Sequence, residues 1–291
     1  MNKQRKADLL LVLITAFWGM SYFLTDLCMV GMPPMSLNAF RFLVGFGVLA
    51  AFFRKKLWPM SRTTLYYGAL VGLALSAVYV FYAYGILYTS VTNAGFICAL
   101  PVVTTPIIEF LVSRRKPGKK LFFALAACTV GIAMLTLNEQ FKPALGDILC
   151  FGVAVFYGVD LVITDRAVHR EDVDPLQMGI VQLGVVGVVT FVLTLMLEKP
   201  TLPTTPKIWA AALFLAVFCT GIAFVVQTVQ QQHTSASHVG LIFTLEPVFS
   251  AVVAFFLAGE RLRPMGYAGA ALMMVSLVMM ELDWEKLLKK T

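Results

Sequence analysis

The sequence predicts an all-α membrane protein: ten transmembrane helices arranged as two inverted five-helix repeats around a central cavity. Three observations carry that expectation. Of the 291 residues 59% are apolar, only 13% are charged and the mean hydropathy is +0.82, a balance that no water-soluble surface accommodates. The apolar stretches run for about twenty residues, the length an α-helix needs to cross hydrocarbon, and lack the alternating pattern of barrel strands. The chain also resembles itself. A shift of 139 residues places Asp8 on Asp147 and Trp18-Gly19 on Tyr157-Gly158, and a shift of 146 places Thr89 on Ser235, Ala94 on Gly240 and Pro101 on Pro247. Five spans thus match five spans, so the second copy enters the bilayer from the opposite side and the symmetry axis lies in the membrane plane. The repeats are expected at 1–140 and 141–291.

The spans are expected at 8–30, 36–53, 65–88, 92–113, 119–138, 146–168, 176–197, 207–230, 237–258 and 265–283. Lys3-Gln4-Arg5-Lys6 before the first run imitates a signal peptide, but the run is too long and Trp18-Gly19 interrupts it without a small-residue cleavage site. Pro33-Pro34 separates the first span from the second. The third combines Gly68 and Gly72, which permit close helix contact, with Tyr79, Phe81, Tyr82, Tyr84 and Tyr88. The fourth contains Pro101 and ends before Lys116-Pro117; its counterpart, the ninth, contains Pro247 and ends before Arg263-Pro264. Proline inside a helix removes a hydrogen bond, so these are the expected helix-breaking positions. Gly179, Gly184 and Gly187 give the seventh span the same close-packing surface. Every connection is short, which leaves the work to the bundle and its two mouths.

A net charge of +7 could indicate nucleic acid, but with both ends cytoplasmic 17 of the 23 Lys and Arg residues fall on the inner side. That asymmetry encodes membrane orientation, so no nucleic-acid partner is expected and the lipid bilayer is. The five cysteines lie within spans without the close spacing of zinc or redox motifs. Neither a metal nor another cofactor is implied. An intramembrane enzyme would need a nucleophile with its base, and the chain has no His-Glu-x-x-His, Gly-x-Ser-x-Gly or matched aspartate pair. Two broken helices bearing one central acid point instead to a secondary transporter that works by alternating access. A passive channel or scaffold is the alternative that repeat and fold leave open.

Thr244-Leu245-Glu246-Pro247-Val248-Phe249, Leu257-Ala258-Gly259-Glu260-Arg261-Leu262 and Ala268 to Met274 resemble the second-copy signature of the EamA-like, ten-span branch of the drug/metabolite transporter superfamily. Ala16-Phe17-Trp18-Gly19, Arg41-Phe42 after Pro33-Pro34, and Tyr88-Thr89-Ser90 through Pro101-Val102 resemble the first copy, though Arg114-Arg115 stands where that family often has Gly-Glu. The resemblance implies a pseudo-symmetric bundle whose central cavity is walled by spans 1 to 4 and 6 to 9, in the cytoplasmic membrane. It also implies a small-molecule cargo such as a metabolite, amino acid, drug or organic cation, with export the commoner direction. A fold does not name its cargo. One chain supplies both halves of the cavity, so a monomer suffices and a dimer is compatible.

Glu246 leads the candidate residues, because an ionised acid mid-span costs about 3 kcal/mol on insertion scales. It is the expected proton-coupling residue; its alternative role is to fasten span 9 to a neighbour. Glu109, close to the cytoplasmic Arg114-Arg115-Lys116 cluster, is either a second proton-coupling acid near the inner mouth or an interfacial partner of those cations. Arg41 and Asp26 stand at similar depth and could form a structural pair, whereas an Arg41 that faces the cavity would bind a carboxylate. Trp18 and Tyr157 hold equivalent positions and, with Tyr22, Tyr79 and Tyr82, either pack or form an aromatic cage for an organic cation. The cage reading makes the protein an importer of a quaternary amine. Gln227, Gln230 and Gln231 share one face of span 8 that should look inward, and His238 at the start of span 9 could titrate near neutrality.

Overall fold

A computed structural model describes residues 3–85, 87–89, 97–114, 118–136, 144–259 and 263–281. All ten helices found among them follow the expected order, and none of the described residues forms a strand. They are α1 (Lys3–Met29), α2 (Pro34–Phe52), α3 (Arg62–Gly85), α4 (Pro101–Ser113), α5 (Lys119–Thr136), α6 (Leu145–Val168), α7 (Pro175–Leu197), α8 (Pro206–His233), α9 (Ala236–Leu257) and α10 (Pro264–Glu281). Seven of them, α1 to α3 and α6 to α9, are long and apolar enough to cross a membrane, and α4 and α10 supply shorter apolar helices. The expected start of the fourth span, with Ala94, lies outside the described residues, as do Lys116-Pro117, Glu260-Arg261-Leu262 and the tail from 282.

Local chemistry sets the helix ends. Pro34, Pro175 and Pro206 open α2, α7 and α8 at positions where no backbone N–H is needed. Asp174, Thr205 and Ser235 accept hydrogen bonds from the amides of Gln177, Ile208 and His238. At α2 the cap comes from far along the chain. The carboxylate of Glu198, just past α7, accepts from the amides of Met35 and Ser36 at 3.0 and 2.9 Å, a negative charge at a helix N-terminus.

The most extensive packing joins α3 to α6 and α7, α2 to α7 and to the middle of α8, α4 to α6, α1 to the second half of α9, and α5 to α10. Small residues make these approaches. A Cβ on Gly68 or Gly72 would stand 2.7 Å from Val181 or Val185 of α7, and one on Gly131 would stand 2.8 Å from the Gly269 carbonyl of α10. Outside the core, Leu9, Leu13, Val48, Phe52, Leu195 and Phe256 remain exposed, as a surface solvated by lipid requires.

Burial along α1 and α9 is uneven. Ala7, Asp8, Leu11, Ile14, Thr15, Trp18 and Gly19 are buried, but from Met20 to Leu27 no residue is. In α9 every residue from Ala236 to Leu245 is buried and none from Glu246 to Val253 is. Both helices are therefore sealed on the side of the N-terminus and open beyond mid-bundle.

Candidate functional site: the broken helix α9 and its surroundings

The α9 helix is interrupted where the sequence predicts. The stretch Ala236–Phe243 ends in a tightened turn in which the amides of Thr244 and Leu245 donate to Leu241 and Ile242, three residues back. The helix resumes at Glu246, with Pro247 in the first turn of the new segment, where its missing N–H costs nothing. α4 does the same: Leu100 donates to Ile97 through a turn and the helix begins at Pro101.

Around Glu246 the side chains converge from three further helices. Tyr22 of α1 and Arg41 of α2 both lie within electrostatic reach of the Glu246 carboxyl. Tyr79 and Tyr82 of α3 and Tyr157 of α6 also lie within electrostatic reach of Glu246. Tyr22 keeps 42% of its surface accessible although it touches this cluster, so its open side faces a space within the bundle. Glu246, Tyr79, Tyr82 and Tyr157 are half-buried around that space.

Arg41 is buried and does not pair with Asp26. Asp26 is exposed on the C-terminal half of α1, whereas the Arg41 Nε donates to Thr220 Oγ1 at 2.7 Å and the guanidinium stands 5.5 Å from the centre of the Tyr79 ring. The expected Arg41–Asp26 pair is thus replaced by a contact with α8. The α2 surface that bears Arg41 turns toward α8 rather than α1, which equal depth in the sequence cannot reveal. No salt bridge joins Arg41 to Glu246 among the described residues. Two opposite charges therefore border one space without neutralising each other directly.

Arg41's partner lies in a π-helical stretch, Leu215–Ile222, inside α8. A π turn shifts the backbone register by one residue and leaves carbonyls available, a feature frequent at functional sites. Here the Cys219 carbonyl accepts from Trp18 Nε1 at 2.9 Å. Trp18 is buried, with Phe243 4.8 Å away edge-on and Phe224 at 5.2 Å, and Phe243 in turn stacks on Tyr157 at 6.1 Å. Trp18 therefore lies in an aromatic layer beneath the open space, its ring covered by neighbours.

Below that layer, on the N-terminal side, polar contacts tie α9 to α1 and α4. His238 Nε2 lies 3.5 Å from Asp8 Oδ1, and both side chains are buried. The Ser237 hydroxyl donates to Glu109, which is half-buried; Arg115 and Lys116, its expected interfacial partners, lie outside the described residues. Gln227 is buried and donates to Gln231, which reaches the Leu161 carbonyl of α6. Gln230 is half-buried and makes no described side-chain hydrogen bond, so the amide face predicted for α8 divides. Asp160 of α6, only 1% exposed and within hydrogen-bonding reach of Gln227, is a site residue that the sequence reading passed over. The signal was present: an acid that directly follows the uncharged run 148–159 in the middle of the sixth span.

Ten helices among the described residues, a lipid-type surface and a break in α9 that carries a carboxyl define a multi-pass membrane protein. The model of the EamA-like transporter family matches residues 5–137 and again 144–282, and the chain belongs to that family. Two relatives from Archaeoglobus fulgidus, each named an uncharacterized transporter, are 27% and 26% identical; their alignments cover 96% and 88% of this chain and 87% and 90% of the relatives. A third of the same description, from Methanothermobacter thermautotrophicus, is 24% identical over 86% of this chain and 78% of its own length. A solved structure described as the crystal structure of a protein superposes with a TM-score of 0.81 over 98% of each chain at 16% identity, a likeness of fold. The protein is a membrane transporter, and its family implies a small-molecule substrate and a lipid surround.

Proposed function

We propose that this chain is a proton-coupled secondary transporter of a small zwitterionic metabolite, of the amino-acid kind, and that it works by alternating access between two inverted five-helix repeats, 1–140 and 141–291. It would lie in the cytoplasmic membrane with both ends cytoplasmic. The carrying observation is the pair of charged groups that do not pair with each other: Arg41, whose Nε alone has a described hydrogen bond, and Glu246, which makes no salt bridge among the described residues. A ligand with a carboxylate at one end and an ammonium at the other fits both, and the fork of an arginine suits a carboxylate in two-bond geometry. Tyr22, Tyr79 and Tyr82 offer ring faces for the remainder of the solute. The guanidinium in the same space argues against an organic cation as cargo.

Two further observations support the repeat. Gly19 of α1 meets Phe249 and Ser250 of α9, and Gly158 of α6 meets Thr104 and Thr105 of α4; Gly19 and Gly158 are 139 residues apart and Thr104 and Ser250 are 146 apart, the shifts that align the copies. Helix pairs α2 with α7, α4 with α9 and α5 with α10 also pack together, as partners related by a two-fold axis do. The sealed half of α1 and α9, closed by Trp18, Phe243, Asp8–His238 and Ser237–Glu109, would be the inner gate in an outward-open state.

Uptake by purified protein in liposomes tests the coupling. An imposed pH gradient is expected to drive accumulation of a labelled amino acid by the native chain. Glu246→Gln is expected to abolish accumulation while exchange of internal for external solute continues. Undiminished gradient-driven uptake by Glu246→Gln overturns the coupling role.

A further inference from the structure

The acid in α6 poses a chemical problem that its neighbours do not solve. Asp160 is 1% exposed and Gln227 is 1% exposed, and both Asp160 Oδ1 and Gln227 Oε1 lack a hydrogen-bond partner. One turn further along α6, Thr164 Oγ1 is buried and unpartnered as well. The amides are oriented by a fixed point. The Leu161 carbonyl can only accept, so Gln231 must turn its Nε2 toward it, at 3.1 Å, and its Oε1 then accepts from Gln227 Nε2 at 3.4 Å. Gln227 keeps one N–H that can serve an Asp160 oxygen, but its Oε1 and Asp160 Oδ1 remain two buried acceptors without a donor.

Among the described residues no cation relieves this. The titratable groups there that lie within reach of Asp160 are Tyr157 on its own helix and Tyr79 on α3. The α8 helix contributes the amides Gln227 and Gln231, α4 meets this part of α6 through Thr104 and Thr105 at Gly158, and α9 meets it through Phe243 on Tyr157. Arg41 approaches Tyr79 but no described contact joins it to Asp160. A single proton changes the balance: neutral Asp160 has one O–H to donate, and the unpartnered Gln227 Oε1 is an acceptor that the amide chain leaves free.

We infer that Asp160 is a second proton-binding carboxyl of the transport cycle, loaded in this conformation, with its O–H given to Gln227 Oε1. Two phenols link it to the first: Tyr157, three residues before Asp160 on α6, and Tyr79 of α3 lie within electrostatic reach of both Asp160 and Glu246. When the inner side opens, water reaching Asp160 would accept the proton. No bond other than O–H forms or breaks. This inference rests on the reading of the chain as a gradient-driven carrier, but its first test does not.

Infrared difference spectroscopy of the purified full chain in detergent or lipid reads protonated carboxyls directly. The native protein is expected to show a protonated-carboxyl band at neutral pH that Asp160→Asn removes and Glu246→Gln keeps; a spectrum unchanged by Asp160→Asn overturns the proposal. Gln227→Leu, which keeps the acid but removes its acceptor, is expected to shift that band toward a free carboxyl, and serves if the asparagine variant fails to fold. The second test is accumulation in liposomes. Loss of one coupled proton lowers the accumulation limit about tenfold for a gradient of one pH unit, so Asp160→Asn should accumulate about tenfold less while exchange persists. A lost band with unchanged accumulation overturns the transport role. Stabilisation of the native chain by sodium chloride but not by potassium chloride, absent in Asp160→Asn, overturns the proton in favour of a metal cation. Failure of Glu246→Gln to alter uptake counts against the first carboxyl alone and leaves the infrared result standing.

Discussion

At Leu100-Pro101 the fourth helix restarts after a turn, and at Glu246-Pro247 the ninth does the same, yet an apolar side chain stands before the proline in one break and a carboxyl in the other. The backbone device is common to both; the chemistry is not. Facing the α9 break are a phenol from α1 and a guanidinium from α2, while the α4 break packs against Cys150 and Ile97 through apolar contacts. A proline that interrupts a helix therefore supplies hinge and free carbonyls at two places, and side chains assign the ligand to one. Charge follows the same division: the two carboxyls argued to carry protons, Asp160 and Glu246, belong to the second half of the chain and Arg41 to the first.

The strongest way to break this comparison is to move the acid. Glu246→Leu with Leu100→Glu keeps composition and both prolines, and transport is expected to be abolished, because the described packing of Leu100 is against the Ile97–Cys150 cluster. Uptake by the double variant that exceeds uptake by Glu246→Leu alone would mean that the breaks are interchangeable. Next in size is Arg41→Leu. Removing one charged hydrogen-bonding partner costs about 1.5–3 kcal/mol, or roughly ten- to a hundredfold in affinity for a carboxylate-bearing solute. An equal loss for solutes with and without a carboxylate, in a competition assay, would assign Arg41 to packing on Tyr79 and Thr220 instead.

Much of this was legible in the sequence, and for physical reasons. Hydrocarbon demands continuous apolar runs, so the order of the helices could be read from hydropathy, and the prolines marked both breaks because their missing N–H is a local property. Rotation about the helix axis was not legible. Arg41 and Asp26 share a depth, yet one turns to α8 and the other to the open face of α1. The π stretch of α8 left no trace either, since a one-residue register shift in an apolar run changes no composition; it is what places Thr220 under Arg41 and the Cys219 carbonyl under Trp18. Asp8 and His238 meet across 230 positions of sequence, a contact no local pattern announces.

Closer in scale are the two glycines at the crossings. A Cβ on Gly19 would stand 2.5 Å from Phe249 Cβ and 2.8 Å from the Ser250 amide nitrogen, whereas one on Gly158 would meet Ile108 Cδ1 and Thr104 Oγ1, both at 3.0 Å. Backbone and Cβ atoms cannot step aside as side-chain ends can. Gly19→Ala is expected to destabilise by about 1–3 kcal/mol, the usual penalty of overpacking, and Gly158→Ala by less. Thermal unfolding of both variants in one detergent measures the difference. Equal shifts would mean that the α1–α9 and α4–α6 crossings yield alike, and the asymmetry would then reside in the side chains alone.

The smallest effect belongs to the best-formed ion pair among the described residues. Between α6 and α7, Arg170 donates to both oxygens of Asp172 at 2.9 and 3.1 Å, with each side chain nearly half exposed, 47% and 46%. The hydrogen bonds from Arg170 hold the Asp172 carboxyl below the ordinary carboxylate range. A depressed acid stabilises the fold above its unfolded value and loses that contribution as pH falls through the folded one. The loop is nonetheless anchored by backbone: the Asp172 carbonyl accepts from Ser61 and the Asp174 amide donates to Thr64. Water and salt screen the pair itself. Asp172→Asn should therefore leave the melting temperature at neutral pH unchanged, and its melting curve should differ from the native one only in the shape of its acid limb. A clear loss of stability at neutral pH would show that a charge pair in water matters to this protein, where the charges argued to matter are the two that remain apart inside it.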